Sequence, residues 1–397
     1  TSMTINAPTS VLLAMYIVVG EKQGIKPEQL IGTVQNDILK EYVARGTYIY
    51  PPKPSLRLVA DVIEYCSKNL PRFNTISISG YHMREAGCNA IQEIAFTIAD
   101  GIAYVEEVLS RGVNIDEFAP RLSFFFTTHN NFFEEIAKLR AARCLWARIM
   151  KDRFHAKDPN SMRLRFHTQT AGVTLTAQQP NVNIIRVTLQ ALAAILGGTQ
   201  SLHTCGADEA LAIPTEDSVR LSLRTQQVLA YESGVTDVVD PLGGSYYIEY
   251  LTSKLEEKAL EYIEKIDAMG GISTAIESGF IQGEIQNNAY SDQKKIEAGL
   301  NQVIGVNIYC TEEECKIKTF KHDIDEEQKI ISSLGELKKS RDEVLVKKKL
   351  AELKKVAESS KNIMPIMIEV VKTYATIEEI CSVLREVFGE YKSPQIF

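Results

Sequence analysis

Apolar residues along the first half of the chain alternate between two spacings. Val11, Leu12, Met15, Val18 and Val19 share one helical stripe, and Gly24 stands where a C-cap would end it. Ile91, Ile94, Ile98, Ile102, Val105 and Leu109 form the clearest stripe, stopped at Gly112. Between the helical stretches lie short candidate strands: Thr1–Asn6, Leu30–Gln35, Thr75–His82, Arg121–Thr128, Met162–Thr170 and Thr199–Thr204. Strands followed by long helical crossovers pair in parallel, so an α/β fold is predicted over residues 1–240.

The strands are unusual in one respect. Buried parallel strands normally read as continuous Val, Ile and Leu. Here one parity is polar: Ser2, Thr4 and Asn6; Thr33 and Gln35; Ser77, Ser79 and Tyr81; Arg121, Ser123 and Thr127; His167 and Gln169. Either these residues line a barrel axis that is not packed with aliphatic side chains, or they face solvent on a two-layer sheet. The few free edges of a strand–helix repeat favour the barrel, whose buried polar groups would then need partners.

Beyond Asp240 the rhythm changes. Asp240-Pro241-Leu242-Gly243-Gly244-Ser245 is a turn cluster. Residues 241–397 read as a mostly helical extension. Amphipathic helices are predicted from Leu251 to Lys265, Ile272 to Asn288 and Ile377 to Phe388, with a short strand at Val306–Tyr309. The charged stretch from Glu312 to Lys361 mixes both signs and lacks interleaved aromatics, so it reads as a solvated helical face rather than a nucleic-acid patch.

Composition narrows the function. Apolar residues make up 45% of 397 and net charge is −7, so no global basic field would attract nucleic acid or anionic lipid. No apolar run is long enough to span a membrane. Seven scattered cysteines without a Cys-x-x-Cys, and histidines without zinc-type spacing, predict a reduced, cytoplasmic protein with no metal site.

Functional groups of parallel α/β units collect at the C-terminal strand ends. Those positions supply Gln35, Arg45, Tyr81, His82, Glu85, Thr128, His129, His167, Gln169, Thr204, Asp208 and Glu209. Neither a nucleophile elbow nor a P-loop accompanies them, and no strand-end lysine is present. Neutral hydrogen-bonding groups with an arginine suit chemistry supplied by a bound cofactor. Each residue also has a plainer reading: His82 as a satisfied core histidine, Arg45 as a helix C-terminal cation, Glu209 as a first-turn helix residue. Gly197-Gly198 precedes a strand and reads as a turn.

Six segments in order resemble the large subunit of the methylmalonyl-CoA mutase family. They are Gly32–Tyr42, Ile76–Gly87, Arg121–Phe126, His167–Gly172, Gln200–Thr204 and Asp240–Tyr246. The resemblance implies a (β/α)8 TIM-type barrel opened by small polar side chains, with Thr1 at its third strand, the first two strands missing, and a C-terminal helical extension. It implies that adenosylcobalamin is cleaved homolytically and that methylmalonyl-CoA and succinyl-CoA interconvert through radicals. By position, His82 would bond the migrating thioester carbonyl with Gln35 nearby, and Thr33, Arg121 and Ser123 would hold coenzyme A. Arg45 would pair the substrate carboxylate, while Ala44, Arg45, Glu85, Gly172 and Glu209 would contact cobalamin. Tyr81, His167 and Gln169 would line the site.

Relatives acting on isobutyryl- or 2-hydroxyisobutyryl-CoA look to carry glutamine at the Arg45 position. The arginine therefore predicts a dicarboxylic acyl-CoA, methylmalonyl or ethylmalonyl. The family's Asp-x-His-x-x-Gly lower-ligand motif does not occur in this sequence, and His322-Asp323 does not supply it. A small cobalamin-binding subunit is the implied partner, with an oligomer and a GTPase chaperone as further expectations. The competing readings are a mutase of the same mechanism acting on another acyl-CoA and a non-catalytic acyl-CoA-binding subunit.

Overall fold

The computed structural model describes residues 1–311, 320 and 324–392. His322-Asp323 and the first residues of the charged stretch after Glu312 lie outside the described residues. Seven strands are parallel α/β elements: β1 (Ser2–Met3), β2 (Gly32–Val34), β3 (Phe73–Asn74), β4 (Ile76–Ser79), β5 (Leu122–Thr128), β6 (Phe166–Thr170) and β7 (Ser201–His203). They form two sheets of order β1-β2-β3 and β4-β5-β6-β7. A closed barrel is not present among the described residues, because closure needs a partner on both edges of every strand and β1 and β7 each have one. All six expected strands are present. The seventh, β3, was not anticipated: its two residues are too few to show a period. Tyr81 and His82 are not strand residues but open a helix.

The helices, in chain order, are α1 (Thr9–Lys22), α2 (Pro52–Asn69), α3 (Tyr81–Glu85), α4 (Ala90–Leu109), α5 (Ile115–Phe118), α6 (Phe132–Asp152), α7 (Val182–Leu196) and α8 (Glu216–Glu232). They continue with α9 (Tyr246–Ala268), α10 (Ile272–Glu277), α11 (Phe280–Glu297), α12 (Ile324–Ser340), α13 (Glu343–Ala357), α14 (Met364–Lys372) and α15 (Ile377–Phe388). The single helix predicted over Ile272–Asn288 is broken in two where Gly279 turns left-handed (φ 77°). The strand predicted at Val306–Tyr309 is only an isolated bridge between Ile304 and Ile308. α15 has its predicted bounds, set by a capping box between Thr376 and Glu379.

Contacts divide the chain into two compact units. The first comprises Thr1–Ile78, Ile102–Leu122 and the described residues from 324 onward. Its core joins α1 (Leu13, Ile17), β2 (Val34) and β3 (Phe73) to α14 (Met364, Met367) and α15 (Leu384), all at or near zero exposure. α1 packs on α14, and α13 packs on both α14 and α15.

The second unit comprises Ser79–Gly101 and the described residues from 123 to 320. Here β5 and β6 pair in register, Phe124 to Phe166 through Thr128 to Thr170. Their helix-facing parity is aromatic: Phe124 meets Trp146 of α6 edge-on at 4.8 Å, and Phe126 meets Phe166 at 5.8 Å. α6 packs against α9 and α7. On the opposite parity Ser123, Phe125, His167 and Gln169 are only half-buried, while Thr127 is fully buried. That inequality between the two faces is the periodicity the sequence predicted.

Candidate functional site

Each unit gathers part of the predicted site. In the first, backbone pairing runs beyond β1 and β2, with Gln35 N–H on Met3 O (3.0 Å) and Asn36 N–H on Ile5 O (2.9 Å). Asn36 then turns left-handed (φ 49°), which ends the strand and leaves Gln35 at its tip. Gln35 Oε1 accepts from Asn6 Nδ2 at 2.9 Å. Thr33, two residues earlier on the same parity, accepts from Asn74 Nδ2 at 3.0 Å.

Glu41–Arg45 form a single π-turn, closed by Gly46 N–H on Glu41 O at 2.7 Å. Such turns recur at functional sites because the extra residue re-aims side chains. Glu41 anchors this one. It is 1% exposed and accepts from Lys40 Nζ, from Thr47 Oγ1 and from Asn6 Nδ2 (2.8 Å). Ala44 is half-buried and Arg45 exposed at the turn's end, where its guanidinium has no carboxylate partner among the described residues. Arg121, half-buried after α5, borders a separate cavity of about 100 Å³ with Thr75 and Glu117.

The second unit brings together eight candidates. β4 ends at Ser79, and Gly80 runs so close to α4 that a Cβ would lie 2.2 Å from Thr97 Oγ1. Only glycine fits there, and α3 begins at the next residue, so Tyr81, His82 and Glu85 stand on a helix rather than on the strand. His82 Nδ1 shares a hydrogen bond with Ser79 Oγ at 2.9 Å. The Tyr81 ring stacks on Phe125, and Phe125 also meets the rings of His82 and His167 at 5.8 and 5.0 Å. Ser123 lies two residues before Phe125 on the same parity. His167 Nδ1 bonds Ser201 Oγ of β7, and burial with His203 nearby pulls the imidazole down to about 4.

Gln169 Nε2 donates to Tyr81 Oη at 2.8 Å and to Cys205 Sγ at 3.5 Å. Burial pushes the Tyr81 hydroxyl well above its ordinary range, reinforced by Glu85. The Glu85 carboxyl is pushed up to about 7, by burial first and by Glu209, against the opposing pull of the Val173 amide. Its Oε2 accepts that amide at 2.7 Å, while Oε1 is buried without a partner. Gly172 closes the cradle. A Cβ there would stand 2.9 Å from Glu85 Oε2, 3.4 Å from Tyr81 Oη and 3.7 Å from Glu209 Cγ. Burial, then Asp208, raises Glu209 as well.

Beneath this cradle runs a buried charge network. Lys138 Nζ donates to Glu93 Oε2 and Thr127 O, both at 2.7 Å, and to Glu135. Arg84 of α3 reaches Glu135 at 3.4 Å and Glu93 at 3.9 Å. α3 is thereby tied to α4 and α6. Neither this network nor Phe125 was legible as part of the site, although an aromatic between Ser123 and Thr127 on the polar parity is a visible irregularity.

The family profile described as "Methylmalonyl-CoA mutase" matches residues 1–390. The chain belongs to that family. It is 50% identical over 398 residues to the 2-hydroxyisobutanoyl-CoA mutase large subunit of Aquincola tertiaricarbonis, covering 100% of this chain and 71% of that protein. It is 48% identical over 395 residues to the methylmalonyl-CoA mutase of Cereibacter sphaeroides, covering 99% of this chain and 55% of the relative. With the mitochondrial methylmalonyl-CoA mutase of Homo sapiens the identity is 45% over 394 residues, 99% and 52% respectively. The chain thus spans about half the length of these methylmalonyl-CoA mutases. The family is one of cobalamin-dependent acyl-CoA mutases, which are isomerases. Among the described residues no helix is long and apolar enough to cross a membrane.

Proposed function

We propose that this chain is the catalytic large-subunit region of an adenosylcobalamin-dependent mutase that rearranges the carbon skeleton of a short branched acyl-CoA. The observation that carries the proposal is the cradle of Tyr81, Glu85, Gly172 and Glu209. It holds a buried carboxyl oxygen without a protein partner, beside a glycine whose lack of a side chain lets Glu85 and Tyr81 approach the backbone closely. A buried polar atom is stabilised only when something bonds it, so the cradle fits a ligand rich in hydroxyls and amides, as adenosylcobalamin is. When bound, the cofactor supplies a cobalt–carbon bond that breaks homolytically. The residues of this chain would orient and dry the site. Glu85, Gly172 and Glu209, with Ala44 and Arg45, are the proposed contacts to it. Tyr81, His82, His167 and Gln169 are the proposed lining around the acyl group, and Thr33, Arg121 and Ser123 the proposed holders of coenzyme A. A small cobalamin-binding subunit is the proposed partner, supported by the relative that is itself a large subunit.

For the acyl group, a substrate of the 2-hydroxyisobutanoyl type is the better supported reading, because identity and coverage are both higher with that relative than with the methylmalonyl-CoA mutases compared above. A second reading, methylmalonyl-CoA, is favoured by Arg45, whose unpaired guanidinium suits a substrate carboxylate. Turnover decides between them. The full-length subunit, with adenosylcobalamin and a small subunit, is offered each thioester in turn. Preferential isomerisation of the hydroxyacyl substrate supports the first reading, and preferential formation of succinyl-CoA supports the second. Turnover of neither thioester would reject both.

A further inference from the structure

Gln35 could serve the site as donor or acceptor, since a side-chain amide offers both and its two ends are hard to tell apart by shape. Its neighbours remove the ambiguity. Asn6, just past β1, accepts the backbone N–H of Asp37 on Oδ1 at 3.1 Å. A backbone amide can only donate, so Oδ1 faces it and Nδ2 faces the other way. The Glu41 carboxylate gives a second, independent constraint. Paired with Lys40, it can only accept, and it takes one Nδ2 proton at 2.8 Å. The other Nδ2 proton goes to Gln35 Oε1 at 2.9 Å. Gln35 Oε1 is therefore occupied. Its Nε2 is turned away from Asn6 and makes no hydrogen bond among the described residues, although Gln35 is only 6% exposed.

We infer that Asn6 is a positioning residue that locks Gln35 as a hydrogen-bond donor to an acceptor oxygen of the acyl-CoA. This rests on the acyl-CoA mutase reading above. The lock has a consequence for selection: an acyl group that needs an acceptor at this point meets an N–H instead and leaves a buried donor unmatched. Glu41 is also the first residue of the π-turn that carries Arg45, so one buried carboxylate links the amide order to the turn.

The test combines kinetics with a direct reading of the amide. In the reconstituted full-length enzyme, Asn6→Ala and Gln35→Ala are each expected to lower kcat/KM about tenfold, the weight of one well-placed hydrogen bond. The double variant is expected to fall no further than the worse single variant within about twofold, because both changes remove one interaction. Additive losses, or an Asn6→Ala enzyme within twofold of wild type beside a crippled Gln35→Ala, would overturn the proposal. A merely structural role would lower Tm and leave the two changes additive. Neutron diffraction on the protein without cofactor is expected to show deuterium on the Gln35 atom facing away from Asn6, and the reverse order overturns the lock whatever the activity. If the amide order is as stated but calorimetry shows no binding of either acyl-CoA, the assignment of an acyl oxygen as acceptor is what fails.

Discussion

The ring of Phe125 lies on that of Tyr81 with centroids 4.9 Å apart and planes 5° from parallel. Phe125 also carries the rings of His82 and His167, so one aromatic on an otherwise polar parity holds three predicted site residues in place. Replacing it with alanine is expected to cost about 2–3 kcal/mol in urea unfolding, less than a fully buried phenylalanine because it is half-exposed. Acyl-CoA turnover is expected to fall at least about tenfold. Phe125→Leu is expected to regain most of the stability but not the turnover; recovery of both would deny the ring its positioning role.

Gly172→Ala places a methyl group 2.9 Å from Glu85 Oε2 and 3.4 Å from Tyr81 Oη. Adenosylcobalamin affinity, read by absorbance titration of the reconstituted enzyme, is expected to weaken about tenfold or more, with Tm shifted by only a few degrees. Unchanged affinity would remove the cradle from the cofactor site.

One buried carboxyl and two buried imidazoles predict opposite pH dependences. Glu85 is raised from 4.5 to about 7, so the stability it favours is present below 4.5 and is lost as pH rises through 7. His129 and His167 are lowered from 6.5 to about 4, each mainly by burial, so the stability they favour is present above 6.5 and is lost as pH falls toward 4. Glu85→Gln is therefore expected to gain urea stability relative to wild type between pH 5 and 8. His167→Asn is expected to lessen the acid-side loss between pH 6.5 and 4. A constant difference from wild type across either window would contradict the corresponding shift.

Lys138 and its partners Glu93 and Glu135 are fully buried. Lys138→Met leaves Glu93 and Glu135 with the more distant Arg84 as their cationic partner, and a loss of about 3–5 kcal/mol is expected from denaturant midpoints. A loss under about 1 kcal/mol would mean that water reaches the network.

Arg45→Gln separates the two acyl groups. Succinyl-CoA formation from methylmalonyl-CoA is expected to fall at least about a hundredfold, because the substrate carboxylate loses its charge-assisted partner. Turnover of the hydroxyacyl thioester is expected to stay within about fivefold. Equal effects on both would show that Arg45 does not select the acyl group.

Much of the architecture was legible along the chain. Strand–helix alternation, the polar parity of the strands and the ends of α15 follow from spacing and local capping, which depend on neighbours in sequence. The candidate site residues were read mainly from ordered segments shared with a family, and that family is matched over residues 1–390. The bends were less so. Tyr81 and His82 were expected on a strand but open α3, directly after a Gly80 that lies too close to Thr97 to carry a side chain.

The sequence by itself determined the α/β class and the family, because periodicity and ordered motifs are properties of a one-dimensional string. Only the tertiary structure decided which face Phe125 stacks on, how Glu85 meets Gly172, and which end of Gln35 remains available. Those outcomes depend on groups far apart in the chain, such as Asn6 and Gln35 or Glu85 and Val173, whose burial and hydrogen-bond order arise only when the elements pack.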